Sequence, residues 1–312
     1  MAKITAAMVK QLREMSGAGM MDCKKALTQT DGDMDKAIEF LRENGQMKAQ
    51  KKADRIAAEG LAEGIVTEDG KTAAVVEVNS ETDFAAQTDK FKNFVHQVAE
   101  QALASDAADL DAFKAETWKA DPSMTVQDAE INATAVISEN IKIRRFAKIS
   151  EDSGFITAYT HAGGKIVVLV DVVTDVINDE IKEMAHNVAL QAAALNPKYC
   201  TKDEVDQDYL AKEKEILLAE AKNEKPDAND KIINGMVMGR LNKELSEITL
   251  MDQVYVKAED GKQKVSKYID QVAKANNAKV TIKRFIRFQT GEGIEKKQEN
   301  FAEEVAKQAL GK

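Results

Sequence analysis

The sequence predicts an α+β protein of several modules, and three observations carry that reading. Apolar residues recur with helical spacing through the first forty-five positions, and two strand pairs, each followed by a helix, repeat along the middle. Charged helical stretches then separate the second repeat from a closing strand and helix. The expected architecture is an N-terminal three-helix module, a duplicated α+β core with antiparallel sheets, a projecting antiparallel helical hairpin and a C-terminal helical module. With 312 residues, 44% of them hydrophobic, the chain can bury a sizeable core, and more than one domain is expected.

Met8, Val9, Leu12 and Met15 form the apolar stripe of a first helix, with Thr5 as its N-cap, and Gly17-Ala18-Gly19 breaks it. A second helix carries Met21, Ala26 and Leu27. Asp31-Gly32-Asp33 turns the chain, Asp33 caps a third helix with Met34, Ala37, Ile38 and Leu41 on its apolar face, and Gly45 ends it. A core of that size is marginal alone, which suits a module that docks onto something else. Gln46 to Glu59, with Lys48, Lys51, Lys52 and Arg55, reads as a solvated connecting helix.

An internal repeat organises the middle. Strands at Ala62-Thr67 and Thr72-Val78 flank the turn Glu68-Asp69-Gly70, and a helix containing Phe94 to Leu103 follows. Phe155 to Val173 repeats the plan. A shift of 94 residues lays Gly70-Lys71 on Gly164-Lys165 and Val75-Val76-Glu77-Val78 on Leu169-Val170-Asp171-Val172. A shift of 90 lays His96-Gln97-Val98-Ala99 on His186-Asn187-Val188-Ala189, so the first copy holds four extra residues between strand and helix. His96 and His186, at equivalent places, read as structural or surface histidines. The longer connection, Asn79 to Asp89, is a place to look for function, because such loops hold exposed side chains on a rigid scaffold.

Past the second repeat, helices at Asp179 to Leu195 and Asp203 to Asn223 flank Asn196-Pro197, with Val205, Tyr209, Ile216 and Leu217 as sparse apolar positions. They suggest the projecting hairpin. A helix at Asn229 to Leu245, a strand at Thr249 to Val256, a short helix around Val265 to Ala275 and a strand at Val280 to Phe288 follow. Phe301, Val305, Ala306 and Leu310 give a closing helix one apolar face. The expected divisions are 1–55, the three-helix module and linker; 56–140, a first core subdomain; 141–178 with 229–264, a second; 179–228, a coiled-coil hairpin; and 265–312, a C-terminal module.

Composition bounds the function. The net charge of −9, from 53 acidic against 44 basic residues well mixed along the chain, disfavours nucleic acid and anionic membranes as partners. No apolar run approaches 18 residues and the N-terminus lacks a signal-peptide pattern, so the expected location is the cytoplasm. Cys23 and Cys200 are far apart with no CxxC, and read as small buried thiols. GxxxxGK[ST], GxGxxG, HExxH and GxSxG are all absent, so a binding protein is expected rather than an enzyme, with no cofactor. Gly17-Ala18-Gly19 could open an anion site at a helix start, though such a turn is more often a joint between helices.

Two segments carry a family resemblance. Leu12-Arg13-Glu14 with Ser16-Gly17-Ala18-Gly19-Met20-Met21-Asp22-Cys23-Lys24-Lys25-Ala26-Leu27, and Glu77-Val78-Asn79-Ser80-Glu81-Thr82-Asp83-Phe84, closely resemble the two signatures of the elongation factor Ts family. The likeness extends through Asn140 to Arg145, the His161 hairpin and Phe285 to Lys296, and the first forty residues look like a ubiquitin-associated fold. One departure stands out: the family usually reads Thr-Asp-Phe-Val where this chain has Ala85 after Phe84.

The resemblance implies a guanine-nucleotide exchange factor for elongation factor Tu. It implies that Thr82, Asp83, Phe84 and Ala85 lie against the GTPase beside its nucleotide site, where Phe84 acts as a wedge and Asp83 disturbs a bound Mg²⁺. It also implies that Arg13, Met20 and Met21 grip the GTPase domain and that His161 contacts another of its domains. From local sequence alone, Phe84 reads as a core-facing residue opening the next helix, Met20 and Met21 read as core, and His161 as a polar turn residue. A homodimer through the helical hairpin is left open. The competing readings are a helical-module adaptor and an RNA-binding protein using Lys48 to Arg55 and the strand Lys283 to Phe288, the latter opposed by the overall acidity.

Overall fold

A computed structural model describes residues 3–295, which combine helices with two small antiparallel sheets. Three helices come first: α1 (Ala6–Ser16), α2 (Met20–Gln29) and α3 (Met34–Gln50). The Thr5 hydroxyl accepts the Met8 N–H at 3.2 Å and Asp33 accepts the Lys36 N–H at 3.1 Å, so both expected caps form. Gly17, left-handed at φ 66°, donates its N–H to the Arg13 carbonyl and closes α1. Val9, Leu12, Cys23, Ala26, Leu27 and Ala37 fill the small core.

Three local expectations fail here. Gly45 does not end α3 but lies buried inside it, facing Ala135 of the later helix Val126–Ile137, where a Cβ would stand 3.4 Å from the Ala135 Cβ. The connecting helix is the last turn of α3 followed by turns to the first strand, not a separate element. Met15 and Met21 face solvent, since the shorter Cys23, Ala26 and Leu27 already close the core.

The sheets follow: β1 (Glu59–Val66) and β2 (Thr72–Ser80), then α4 (Asp83–Gln87), α5 (Asp89–Ala104), α6 (Leu110–Ala115), α7 (Val126–Ile137) and β3 (Lys142–Ser150), in the sheet order β1-β2-β3. Next come β4 (Gly154–His161), β5 (Ile166–Thr174), α8 (Asp179–Leu195), α9 (Gln207–Glu224), α10 (Asp230–Ile248), α11 (Val265–Ala275) and β6 (Val280–Gln289), in the order β4-β5-β6. The bounds of β2 fall on those of β5 under the strand shift, and α5 and α8 start at equivalent residues under the helix shift.

The likeness between the copies reaches a third strand, of which sequence reading found β6 but not β3. Ile143-Arg144-Arg145-Phe146 of β3 matches Ile282-Lys283-Arg284-Phe285 of β6. The Arg145 Nε donates to Glu77 on β2 at 2.6 Å, and the Arg284 Nε donates to Asp171 on β5 at 2.8 Å. A fully buried carboxylate on the middle strand of each sheet is thus paired by the matching arginine of the third strand.

Contacts divide the chain into two compact units. The first comprises the described residues up to Glu63, Val76–Phe146 and the described residues from Gln289; in it α3 packs on α7, and Phe113 stacks on Phe146 at 4.5 Å. The second comprises Gly64–Val75 and Ala147–Phe288. There α8 buries Ile181, Met184, Ala185, Val188 and Ala189 in a core with Val168, Val170 and Val172 of β5. That packing overturns the expected pairing of helix 179–195 with helix 203–223. Instead α9 pairs with α10, through Leu217, Ala221, Ile233, Val237, Leu241 and Leu245. Ile216, expected on the seam, is 52% exposed.

The expected strand Thr249 to Val256 is also absent. The Thr249 N–H caps α10 by donating to the Leu245 carbonyl, Leu250–Asp252 forms a 3-10 turn, and only isolated bridges join Thr249 to Tyr199 and Val254 to Lys264. Because β6 belongs to the second sheet, the stretch after 264 is not purely helical. The closing helix with Phe301, Val305, Ala306 and Leu310 lies outside the described residues. Among the described residues no helix is long and apolar enough to cross a membrane.

Candidate functional site

The connection that distinguishes the first repeat is a short helix held at both ends. Thr82 is the N-cap of α4, its hydroxyl accepting the Ala85 N–H at 3.2 Å. At the other end the Thr88 hydroxyl donates to the Ala85 carbonyl at 2.7 Å and accepts the Phe91 N–H, capping α5. With the helical phase set by these caps, Ala85 and Ala86 turn inward at 6% and 0% exposure while Asp83 and Phe84 turn outward. Phe84 is 83% exposed.

An aromatic ring so exposed on a fixed helix needs an explanation, since burying a phenylalanine is worth about 1.5–3 kcal/mol. The core-facing reading of Phe84 therefore fails, and Phe91 and Phe94 of α5 occupy the core instead. Ala85 lies beneath the outward pair. Ala85, which the resemblance implies lies against the partner, is itself buried in this chain.

The strand-to-helix turn is braced from the loop after α7. The Glu139 carboxylate accepts the Thr82 N–H at 3.0 Å and the Thr82 hydroxyl at 2.6 Å. Beside it the Glu81 carboxylate accepts the Asn140 N–H at 2.6 Å, and the Asn140 amide donates to the Arg55 carbonyl at 2.6 Å. Sequence reading missed Glu139, because nothing local relates it to a threonine so far up the chain.

Arg13 is exposed in the last turn of α1, and Met20 and Met21 are 58% and 74% exposed at the start of α2. Read from composition as core, both methionines instead flank the Gly17-Ala18-Gly19 joint. An anion has little claim on that joint: Asp22 sits in the first turn of α2, paired with Lys48 at 2.9 Å.

His161 ends β4 and is exposed, its Nδ1 3.0 Å from the Tyr159 hydroxyl. Tyr159 also meets His186 of α8 edge-on, with ring centroids 5.1 Å apart, so three rings form a row. The alternation Tyr159-x-His161 on one strand face was the available sequence signal for the first pair. His96, the repeat partner of His186, instead holds Glu63 at 2.6 Å, and that hydrogen bond raises its pKa.

Cys23 and Cys200 are both buried, and burial pushes the Cys200 thiol up to about 12. The basic strand offered to RNA is engaged internally, with Lys283 on Glu151 at 2.8 Å and Arg284 on Asp171.

Comparison with known proteins gives one result throughout. The family model described as Elongation factor TS matches residues 81–292. The chain is 48% identical over 310 residues to the elongation factor Ts of Clostridium botulinum, covering 99% of this chain and 100% of that one. To the elongation factor Ts of Clostridioides difficile it is 48% identical over 308 residues, 99% of each chain. The corresponding figure for Clostridium kluyveri is 47% over 310 residues, 99% of this chain and all of the relative.

Proposed function

The chain belongs to the elongation factor Ts family, and on that premise we propose that it is a guanine-nucleotide exchange factor that binds elongation factor Tu carrying GDP and promotes GDP release during translation elongation. The observation that carries the reading is Phe84, solvent-exposed on a helix capped at both ends and braced by Glu139. A floppy loop would bend away from a packed surface; a fixed ring can displace side chains in one.

Such a factor makes and breaks no covalent bond. It works by binding the nucleotide-free GTPase more tightly than the GDP form, and by linkage GDP then binds the complex more weakly by the same factor. Phe84 enters between helices beside the nucleotide site, and packed interiors respond by repacking in a step. Asp83, exposed one residue earlier, brings a carboxylate toward the GTPase's Mg²⁺, whose octahedral shell of waters and phosphates tolerates little displacement. Loss of Mg²⁺ then loosens GDP.

Arg13, Met20 and Met21 form the grip of the N-terminal module, where adaptable methionine and a hot-spot arginine suit an interface. His161 makes a further contact. The cytoplasm is the working compartment, and the paired helices α9 and α10 are the surface to examine for a homodimer. The test preloads elongation factor Tu with fluorescent GDP and follows its release. Catalytic amounts of this protein are expected to accelerate release, and an unchanged rate overturns the reading.

A further inference from the structure

The duplication separates the parts of the Phe84 site that are general to the fold from the part peculiar to it. In the first copy the Ser80 hydroxyl donates to the Thr82 carbonyl at 2.9 Å; in the second the Thr174 hydroxyl donates to the Val176 carbonyl at 2.9 Å. Glu81 accepts the Asn140 N–H at 2.6 Å, and its counterpart Asp175 accepts the Lys279 N–H at 2.7 Å. Asn140 and Lys279 are themselves equivalent when β3 is laid on β6. These two contacts thus recur in both copies and belong to the shared scaffold of a strand leaving a sheet.

The Glu139 clamp does not recur. Its two members, Thr82 and Glu139, correspond to Val176 and Ala278, neither of which has a polar side chain. The second copy passes from β5 directly into α8 with no inserted helix. The clamp therefore occurs in the copy that carries the exposed aromatic, and there it acts on the cap residue that sets the phase of α4. Both Glu139 oxygens are used on one residue, through its N–H and its hydroxyl, which fixes Thr82 in position and rotamer. The same hydroxyl accepts the Ala85 N–H, so the clamp reaches the backbone on both sides of Asp83 and Phe84.

We infer that Glu139 is a positioning residue for nucleotide exchange, holding Thr82 so that α4 presents Phe84 and Asp83 at a fixed angle. The inference rests on the exchange reading proposed above. Glu139 need not touch the GTPase; it acts through Phe84. Its loss should therefore lower the maximal exchange rate more than the affinity of the complex, and should matter little once the Phe84 ring is gone.

The experiment measures release of fluorescent GDP from elongation factor Tu over a range of concentrations of the full chain, so that maximal rate and half-saturation separate. Wild type, Glu139→Ala, Phe84→Ala and the double variant are compared. Glu139→Ala is expected to lower the maximal rate about tenfold while half-saturation moves less than about threefold, since small misplacements of a working group are costly. In the Phe84→Ala background the same change is expected to cost less than about twofold, because coupled residues are not additive. An equal factor in both backgrounds, or an unchanged rate in Glu139→Ala, overturns the role of Glu139. Wild type that leaves GDP release unchanged overturns the exchange reading beneath it, and Phe84→Ala working at the rate of an active wild type overturns the role of Phe84; both are distinct from the failure of Glu139.

Thr82→Val and Thr82→Ser address the clamp from its other side, should Glu139→Ala fail to fold. The valine variant is expected to be slower than the serine variant, which keeps the hydroxyl whose hydrogen bond Glu139 accepts, and equal rates for the two overturn the proposal.

Discussion

Glu77 and Asp171 stand at the same position in two copies of one strand, each fully buried and each paired with the matching arginine, yet their carboxyls are driven in opposite directions. Burial pushes Glu77 up, but the Gly291 N–H, the Arg144 and Arg145 guanidinium groups and the Asn79 amide together hold it below the usual carboxylate range. Burial dominates at Asp171, where the neighbouring Glu151 carboxylate adds to it and the Arg284 guanidinium does not offset the rise. The difference lies in supporting donors, not in the pairing itself.

The stability consequences have opposite signs. Glu77, with a lowered folded pKa, contributes stability that is present above its unfolded value near 4.5 and is lost as pH falls through the folded value. Asp171, with a raised pKa, contributes stability below its unfolded value near 3.8, lost as pH rises through the folded one. Glu77→Gln should cost about 3 kcal/mol at neutral pH, because it removes the buried carboxylate that Arg144 and Arg145 share. Asp171→Asn should cost no more than about 1 kcal/mol there, because an amide oxygen can still accept from Arg284. Urea denaturation of both variants at pH 7 and pH 4 checks the pair, and equal costs at pH 7 would contradict the assignment.

His96 gives a pH dependence of another kind. Its pKa is raised by the hydrogen bond to Glu63, so its contribution is complete below its unfolded value near 6.5 and disappears as pH rises through the folded value. NMR titration of the ring protons should place the His96 midpoint above the ordinary histidine value, and Glu63→Gln should bring it down. A His96 midpoint unmoved by Glu63→Gln would show that the contact does not persist in solution.

Phe84→Ala is expected to slow exchange more than it weakens complex formation. Because the ring is exposed in the free protein, the same change should leave unfolding stability within about 0.5 kcal/mol of wild type. Equal losses of rate and affinity would make Phe84 an ordinary anchor. The readouts are exchange kinetics, a binding isotherm and a thermal melt on one preparation.

Gly45 tests the close approach of α3 and α7. A Cβ there meets Ala135 at an ordinary contact distance of 3.4 Å, so Gly45→Ala should stabilise by up to about 1 kcal/mol through helix propensity. Gly45→Val should destabilise by about 1–3 kcal/mol, because the branched side chain overfills the contact. Thermal denaturation of both variants decides, and a tolerated valine would mean that the helices separate easily.

Much of the fold was legible in the chain because its signals are local. Thr5 and Asp33 announce helix starts a few residues away, and the repeat set the register of β2 against β5 and of α5 against α8. The failures share one cause. Gly45 is a helix terminator by local chemistry and a helix-packing residue by its neighbour Ala135. Thr249 has strand propensity, and its N–H is claimed by the end of α10. Helix 179–195 was assigned to a hairpin, although its apolar face fits β5.

By itself, then, the sequence determined the family, the duplication and the identity of the segment around Asp83 and Phe84. Each of those is written in consecutive residues. Only the tertiary structure decided that Phe84 faces solvent while Phe91 faces the core, that Ala85 lies beneath the surface pair, and that Glu139 clamps Thr82. The reason is physical: a helix's phase is set by its cap, and this cap is completed by a carboxylate 57 residues along the chain, where no local periodicity reaches.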